Sequence, residues 1–325
     1  MMNNLTKTIE EISNAAALTE KWMLKHISDE NLYTSRHDDP VSYYKWPLTL
    51  ISREKKDEAF RLLNWINEQC LAENGDYVSN RSGFHKEFHN YSTLWIVLAA
   101  IKLGDTALTK KLLDFILKYH NSLTGGLATF PAEQDIITED PVSTAFLGMV
   151  ACDLKDKNLA DKILHYFETI LSLQDEEEKF WLRIKTGGSV IKTFPSEADP
   201  KTYYITIGEE NECYYFLGAA CFFIARYVET FDSRPLSLAN QFANVLEKCG
   251  SKALSTIWAA KVAPGCAALY SITSDKRFFD LAYPVIRTVL NLQSPGGYWM
   301  KNNKPWITVS AEQCFWQTDI CKRFQ

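Results

Sequence analysis

The stretch CAALYSITSDKRFFDLAYPVIRTVLNLQSPGGYW, Cys266 to Trp299, holds an apolar helix, a short polar break, a second helix with one apolar stripe, and a glycine-aromatic turn. Looser copies run from Tyr91 to Phe130, where YSTLWIVLAAIKLG precedes LTKKLLDFILKYHNSLTGGLATF, and from Thr144 to Trp181. An earlier copy runs from Tyr43 to Tyr77 and ends in Gly75, Asp76 and Tyr77. A hairpin that returns about every 45 to 55 residues cannot bury its own apolar face, so neighbouring copies must stack.

Working outward from that stretch, apolar periodicity predicts a helix over 3–27, with Leu5, Ile9, Ile12, Ala16, Trp22 and Ile27 along one stripe. Further helices are expected at 41–52, 54–72, 88–103, 107–120, 143–154, 158–174, 209–231, 236–249, 254–271, 276–293 and 309–323. Between 179 and 208 the chain turns to Thr, Val, Ile and Gly. There WLRIK and GSVIKTF flank Thr186, Gly187 and Gly188, which predicts a small β-hairpin or an extended insertion. Paired in order, the helices make close to six antiparallel hairpins, with the N-terminal helix closing the ring beside the C-terminal one. The expected fold is all-α, an (α/α)6 toroid occupying residues 1–325 as one domain.

Segments such as LWIVLAAI, VSTAFLGMVAC and YYFLGAACFFIA are apolar nearly all round, whereas LTKKLLDFILKYH and EKKDEAFRLLNWINEQ keep a charged face. The first kind belongs in an inner ring and the second against water. Polar residues at the ends of inner helices then carry the functional weight.

Composition narrows the partners. The 325 residues are 46% hydrophobic, ample for a large core, and the net charge of −5 comes from interspersed acids and bases. With no basic stripe, nucleic acid and anionic membranes are not expected partners. The N-terminus lacks a basic start followed by an apolar run, and no stretch has the uncharged length that a bilayer requires, so a cytoplasmic protein is expected. Eight cysteines are scattered without paired spacing, and Cys152, Cys221 and Cys266 sit among apolar residues, which reads as reduced thiols. No GxSxG elbow, P-loop or dinucleotide fingerprint occurs, so covalent serine catalysis and nucleotide cofactors are not expected, and no cofactor is assigned.

QSPGGYW at 293–299, preceded by Arg287 and an apolar helix, resembles the glutamine-tryptophan repeat of squalene-hopene-type terpenoid cyclases; LSLQDEEEKFW and YHNSLTGGL resemble degraded versions of it. The resemblance extends to the related protein prenyltransferase β subunits and implies an α/α toroid. It also implies a cyclase or isomerase acting on a small, largely apolar natural-product intermediate. Two departures stand out. Class II cyclases carry an Asp-x-Asp-Asp acid, and the nearest string here is Thr138-Glu139-Asp140-Pro141, in which Asp140 and Glu139 alone can stand in for it. Those cyclases usually carry two such α domains, and this chain has room for one. A zinc site like that of the prenyltransferases lacks support, because Glu212 and Cys213 are adjacent and no histidine follows suitably.

The candidate residues follow from the helix ends. Glu209, Glu210 and Glu212 open an apolar helix: as caps they would serve its dipole, and as functional groups Glu212, then Glu210, would act as acid or base beside Tyr214 and Tyr215. Asp140 before Pro141 reads both as a helix cap and as a rim carboxylate paired with Glu212. His85 and His89 lie four apart without the HExxH order, so metal ligation is not assigned; His89 is a candidate proton shuttle. Substrate contacts are expected from Asp39, Tyr44, Lys45 and Trp46, from Tyr91 and Trp95, and from Tyr215, Trp258, Lys261, Trp299 and Glu312. Lys45 and Lys261 interrupt apolar helices, where a buried ammonium needs a partner or an anion unless it snorkels to the helix end. Two other function classes fit the same pattern. One is a carbohydrate-active toroid, either a glycosidase or lyase using two carboxylates or an epimerase using His89. The other is a binding module built as an open solenoid, in which the first and last helices would not touch.

Overall fold

The computed structural model describes residues 2–27, 40–77, 88–129 and 138–325, with only the backbone described at 2–4, 40 and 41. Asp39 and His85 lie outside the described residues. Twelve α-helices occur among the described residues. They are α1 (Met2–Ile27), α2 (Trp46–Ser52), α3 (Lys56–Gln69), α4 (Tyr91–Leu103), α5 (Thr106–Ile116), α6 (Pro141–Leu154), α7 (Lys157–Ser172), α8 (Tyr215–Thr230), α9 (Leu236–Leu254), α10 (Val262–Thr273), α11 (Lys276–Leu292) and α12 (Ile307–Phe324). The strands are short: β1 (Thr138–Glu139), β2 (Lys179–Trp181), β3 (Ile184–Lys185), β4 (Ser189–Val190), β5 (Tyr204–Thr206), β6 (Met300–Lys301) and β7 (Lys304–Pro305). They pair as β1-β3-β4, β2-β5 and β6-β7, all antiparallel. The β3-β4 hairpin turns at Thr186-Gly187-Gly188, as the pattern of WLRIK and GSVIKTF predicts.

Two compact units make up the chain. The first comprises residues 1–82, 92–116 and 289–325. In it α1 packs along α12: the Cys314 thiol donates to the Ala16 carbonyl (3.5 Å) and the Cys321 thiol to that of Ile9 (3.6 Å). The open solenoid needed these helices apart, so that alternative loses its structural basis. Gln293 Nε2 donates to the Ala15 carbonyl and to Thr19 Oγ1, both at 2.9 Å, so the QSPGGYW turn docks on α1. Gly297 has φ +86°, and a Cβ there would stand 2.5 Å from the Leu18 carbonyl oxygen, so only glycine lets the turn approach so closely.

The second unit comprises residues 83–91 and 117–288. Its helices α6, α8 and α10 are the apolar ones: every residue of α6 from Pro141 to Cys152 is buried. The partner α7 buries Leu159, Ile163, Leu164, Phe167 and Ile170 on one side and leaves Lys157 and His165 outside, as a single-stripe helix should. Each such aliphatic side chain contributes about 1.5–3 kcal/mol through removal from water. Helices α8 and α10 touch backbone to backbone, since a Cβ at Gly218 would be 2.3 Å from the Lys261 carbonyl carbon and one at Gly265 would be 2.4 Å from the Gly218 carbonyl oxygen.

Three helix starts differ from the expected ones by about five residues or more, for local reasons. The helix expected over 41–52 begins at Trp46 after a 3-10 turn at Pro40–Tyr43, with Pro47 in its first turn. The helix expected from Glu209 begins at Tyr215, because Gly208 (φ +86°) and Asn211 (φ +62°) take left-handed backbone that a helix cannot continue. Glu209, Glu210 and Glu212 are therefore not at the positive end of that helix, and no acid lies in the first turn of α8. The helix expected over 254–271 starts at Val262, while α9 runs on to Leu254 across a break at Gly250.

All eight cysteines are free thiols, and all are buried. Burial pushes the Cys213 and Cys249 thiols up to about 11, which makes them poor nucleophiles. No helix among the described residues is long and apolar enough to cross a membrane.

Candidate active site

In the second unit two adjacent carboxyl groups sit where β1 runs into α6. Asp140 caps α6: its Oδ1 accepts from the Ser143 N–H at 2.8 Å, and Pro141 takes the first helical position. The cap alone accounts for about 1 kcal/mol. Its Oδ2 accepts from the Thr129 hydroxyl at 3.1 Å. Glu139 takes the Thr124 hydroxyl on both oxygens (2.7 Å each) and the Asn121 amide on Oε1 (2.7 Å). Gly126 makes room for it, since a Cβ there would lie 2.2 Å from Glu139 Oε2. Both carboxyls have no solvent exposure. Burial lifts the Asp140 carboxyl above the usual carboxylate range against the pull of the Ser143 N–H and the Arg183 guanidinium. Burial also lifts that of Glu139, opposed by Thr124 and Asn121 and reinforced by the neighbouring Asp140.

Two tyrosines feel the charge of this doublet. Tyr166 senses both carboxyls and Tyr215 senses Asp140, and their hydroxyls are held well above the usual phenol range, chiefly by burial. Tyr91 meets Phe146 edge-on with centroids 4.9 Å apart. Lys261, immediately before the first residue of α10, holds its ammonium 5.1 Å from the Tyr215 ring centroid and 5.5 Å from that of Tyr91. Trp258 stands 6.5 Å from Tyr215 and is 37% exposed. The expected contacts Tyr91, Tyr215, Trp258 and Lys261 are thus brought together. His89 lies in the turn before α4, its N–H donating to the Thr129 carbonyl (3.2 Å) and its ring 6.2 Å from Tyr119.

The other two acids of the sequence reading go separate ways. Glu212 is 6% exposed, with Lys201 Nζ at 3.8 Å from Oε1, and burial raises its carboxyl while Lys201 opposes the rise. Glu210 is exposed and pairs with Lys252 at 2.7 Å.

The first unit has a polar cluster of its own. Lys45, just before α2, forms a buried ion pair with Glu312 of α12, and the other Glu312 oxygen accepts from Trp316 Nε1 at 3.1 Å. The Lys45 ammonium lies 5.3 Å from the Tyr44 ring and 5.6 Å from that of Trp95. Trp46 packs beside Trp22 (5.6 Å) and Tyr43 (5.2 Å). Burial and the Glu312 charge hold the Tyr44 hydroxyl well above the usual phenol range. Trp299 is occupied in packing, its indole donating to the Val289 carbonyl at 3.0 Å.

Sequence reasoning gave Glu139 only a secondary place and missed Arg183, Thr124, Thr129 and Asn121. Glu139 was legible as half of an acidic pair. Arg183, by contrast, reaches the doublet through a strand pairing that no local pattern reveals.

No protein-family model and no curated protein matches the chain. Solved structures do match in fold. An unsaturated glucuronyl hydrolase specific for heparin aligns over 97% of both chains at 10% identity and TM-score 0.67. An α-mannanase of glycoside hydrolase family 76 from Bacteroides thetaiotaomicron aligns over 97% of this chain and 98% of its own at 13% identity and TM-score 0.63. The type II terpene cyclase MstE from Scytonema, in complex with geranylgeranyl dihydroxybenzoate, aligns over 98% of this chain and 99% of its own at 10% identity and TM-score 0.54. The last match removes chain length as a departure, since a type II terpene cyclase is matched nearly end to end by a chain with room for one α domain. With twelve helices and only minor strand pairs among the described residues, the protein has the α/α-toroid fold found in both terpenoid cyclases and carbohydrate-active enzymes.

Proposed function

We propose that this protein is a Brønsted-acid enzyme of the terpene cyclase kind, with residues 1–325 working as one domain and the Glu139–Asp140 doublet as the acid. The observation that carries the reading is the doublet itself: two adjacent carboxyls, fully buried, both raised above the usual range, at the start of an apolar helix and among aromatic rings. A carboxyl that stays protonated to higher pH than an exposed one can deliver that proton to a carbon–carbon double bond. The proton forms a new C–H bond and leaves a tertiary cation, which ring closure moves along the substrate. Loss of a proton from carbon to a carboxylate ends the sequence, so the net reaction is an isomerisation. Tyr91, Tyr215 and Trp258 supply ring faces for the cation. Glu212 is the candidate terminal base, and Glu210 and His89 are proton carriers of lesser weight.

A carbohydrate reading is favoured by one observation: Asn90 is fully buried, its amide donates to the Ala128 carbonyl at 2.8 Å, and its Oδ1 has no hydrogen-bond partner among the described residues. A sugar hydroxyl would supply the missing donor.

The deciding experiment incubates the purified chain with geranylgeranyl dihydroxybenzoate and, separately, with unsaturated heparin disaccharides, mannan and D-mannose. Cyclised product from the first, lost by roughly 10²–10⁴-fold in Glu139→Gln and Asp140→Asn, supports the proposal. Turnover of a sugar substrate alone overturns it in favour of the second reading.

A further inference from the structure

Arg183 is fully buried in the second unit, in the link between β2 and β3. The antiparallel pairing of β1 with β3 sets Thr138 opposite Lys185 and Glu139 opposite Ile184; that register continued one step past the paired residues brings Asp140 opposite Arg183, whose charge the Asp140 carboxyl feels. Directly opposed residues have their Cβ atoms about 4.5–5.5 Å apart. Successive residues of a strand point to opposite faces, so Asp140 turns to the side of Arg183 and Glu139 turns away from it. The guanidinium is fixed as well as buried. Its Nε donates to the Thr202 carbonyl at 2.8 Å, and its carbon lies 5.1 Å from the Phe88 ring and 4.8 Å from that of Tyr203. The two carboxyls therefore meet different chemistry: Asp140 faces a permanent cation, and Glu139 faces only the neutral donors of Thr124 and Asn121.

We infer that Arg183 is the positioning residue of the carboxyl doublet, its fixed charge holding Asp140 as the carboxylate and so leaving the catalytic proton on Glu139. This rests on the reading of the doublet as the enzyme's acid. Two carboxyls in adjacent positions titrate as a pair, and the nearest cation decides which releases its proton first. Among the described residues, Tyr166 from α7 senses both carboxyls and Tyr215 from α8 senses Asp140, both neutral phenols near pH 7, with the Lys261 ammonium 5.1 Å from the Tyr215 ring. Arg183 is the charge that opposes burial at Asp140, whereas at Glu139 the neighbouring Asp140 adds to the rise.

The test needs no substrate. Carboxyl carbons of ¹³C-labelled Asp and Glu in the full chain are titrated by NMR, with Asp140→Asn and Glu139→Gln assigning the two signals. In the wild type Asp140 ionises at lower pH than Glu139. In Arg183→Met the Asp140 midpoint rises by about one pH unit or more and the order is lost, while Arg183→Lys, which keeps the charge, restores most of the gap. Glu139 ionising first in the wild type overturns the inference, as does an Asp140 midpoint unmoved within about 0.3 unit in Arg183→Met. Should circular dichroism show Arg183→Met unfolded, the wild-type order and the Arg183→Lys midpoints decide. Full activity in Glu139→Gln would sink the acid reading and leave the titration order standing, so the two failures are distinct.

Discussion

The doublet of the second unit and the ion pair of the first both bury carboxylate beside a cation, but in different proportions. Lys45 and Glu312 are matched one to one, with the indole of Trp316 on the remaining carboxylate oxygen. Glu139 and Asp140 have one cation between them, Arg183 on the Asp140 side, and complete their shells with hydroxyls, an amide and a helix N–H. A one-to-one pair holds charge in place. Two carboxyls to one cation leave room for a proton, and a site that stores a proton can give it away.

The largest effect expected from breaking this comparison is catalytic. Asp140→Asn keeps a good capping residue, so stability should change by less than about 1 kcal/mol while turnover falls roughly 10²–10⁴-fold. Chemical denaturation and product assays on one preparation separate the two effects. Equal loss of folding and activity would make Asp140 a cap and no more.

Next comes the ion pair. Lys45→Met strands the Glu312 charge in a buried site and should cost about 3–5 kcal/mol in urea unfolding, most of which the double variant with Glu312→Leu regains. A single variant as stable as the wild type would show that the pair holds no charge that matters.

Gly126→Ala sharpens the contrast from the other side, because its Cβ would intrude on Glu139 Oε2. Overpacking of about 1–3 kcal/mol is expected, with turnover reduced alongside it. The same substitution should leave Lys45→Met energetics unaltered.

Acidity gives a subtler distinction. Both doublet carboxyls are raised in the folded chain, so the folded state binds more protons than the unfolded one between the ordinary carboxylate range and the raised values. The stability they contribute is present at low pH and is lost as pH climbs through that window. Unfolding free energy measured from about pH 4 to about pH 8 should therefore decline less in the Glu139→Gln, Asp140→Asn double variant than in the wild type. Smallest of all, Glu210→Gln on the exposed Lys252 pair should shift stability by no more than about 0.5 kcal/mol.

The fold was legible wherever burial is complete, as in α6 and α8, because an all-apolar helix announces itself in composition. Asp140-Pro141 was legible too, since cap and first-turn proline are local chemistry. The start of α8 was not, because left-handed backbone at Asn211 depends on surroundings that a run of Glu and Asn does not encode. Lys45 and Glu312 each stood out alone, but nothing in either neighbourhood points to a partner 267 residues away. Arg183 was hidden for a related reason. In WLRIK it reads as one more alternating strand residue, and only the pairing of two-residue strands brings it opposite Asp140.

The docking of α1 on α12 bears on how the chain is made. The thiol of Cys314 reaches a carbonyl 298 positions earlier, so the apolar stripe of α1 stays uncovered while the 298 residues up to its partner are made. Contacts of such long range form late and slowly, and a nascent chain with that stripe exposed is a target for chaperones until α12 emerges.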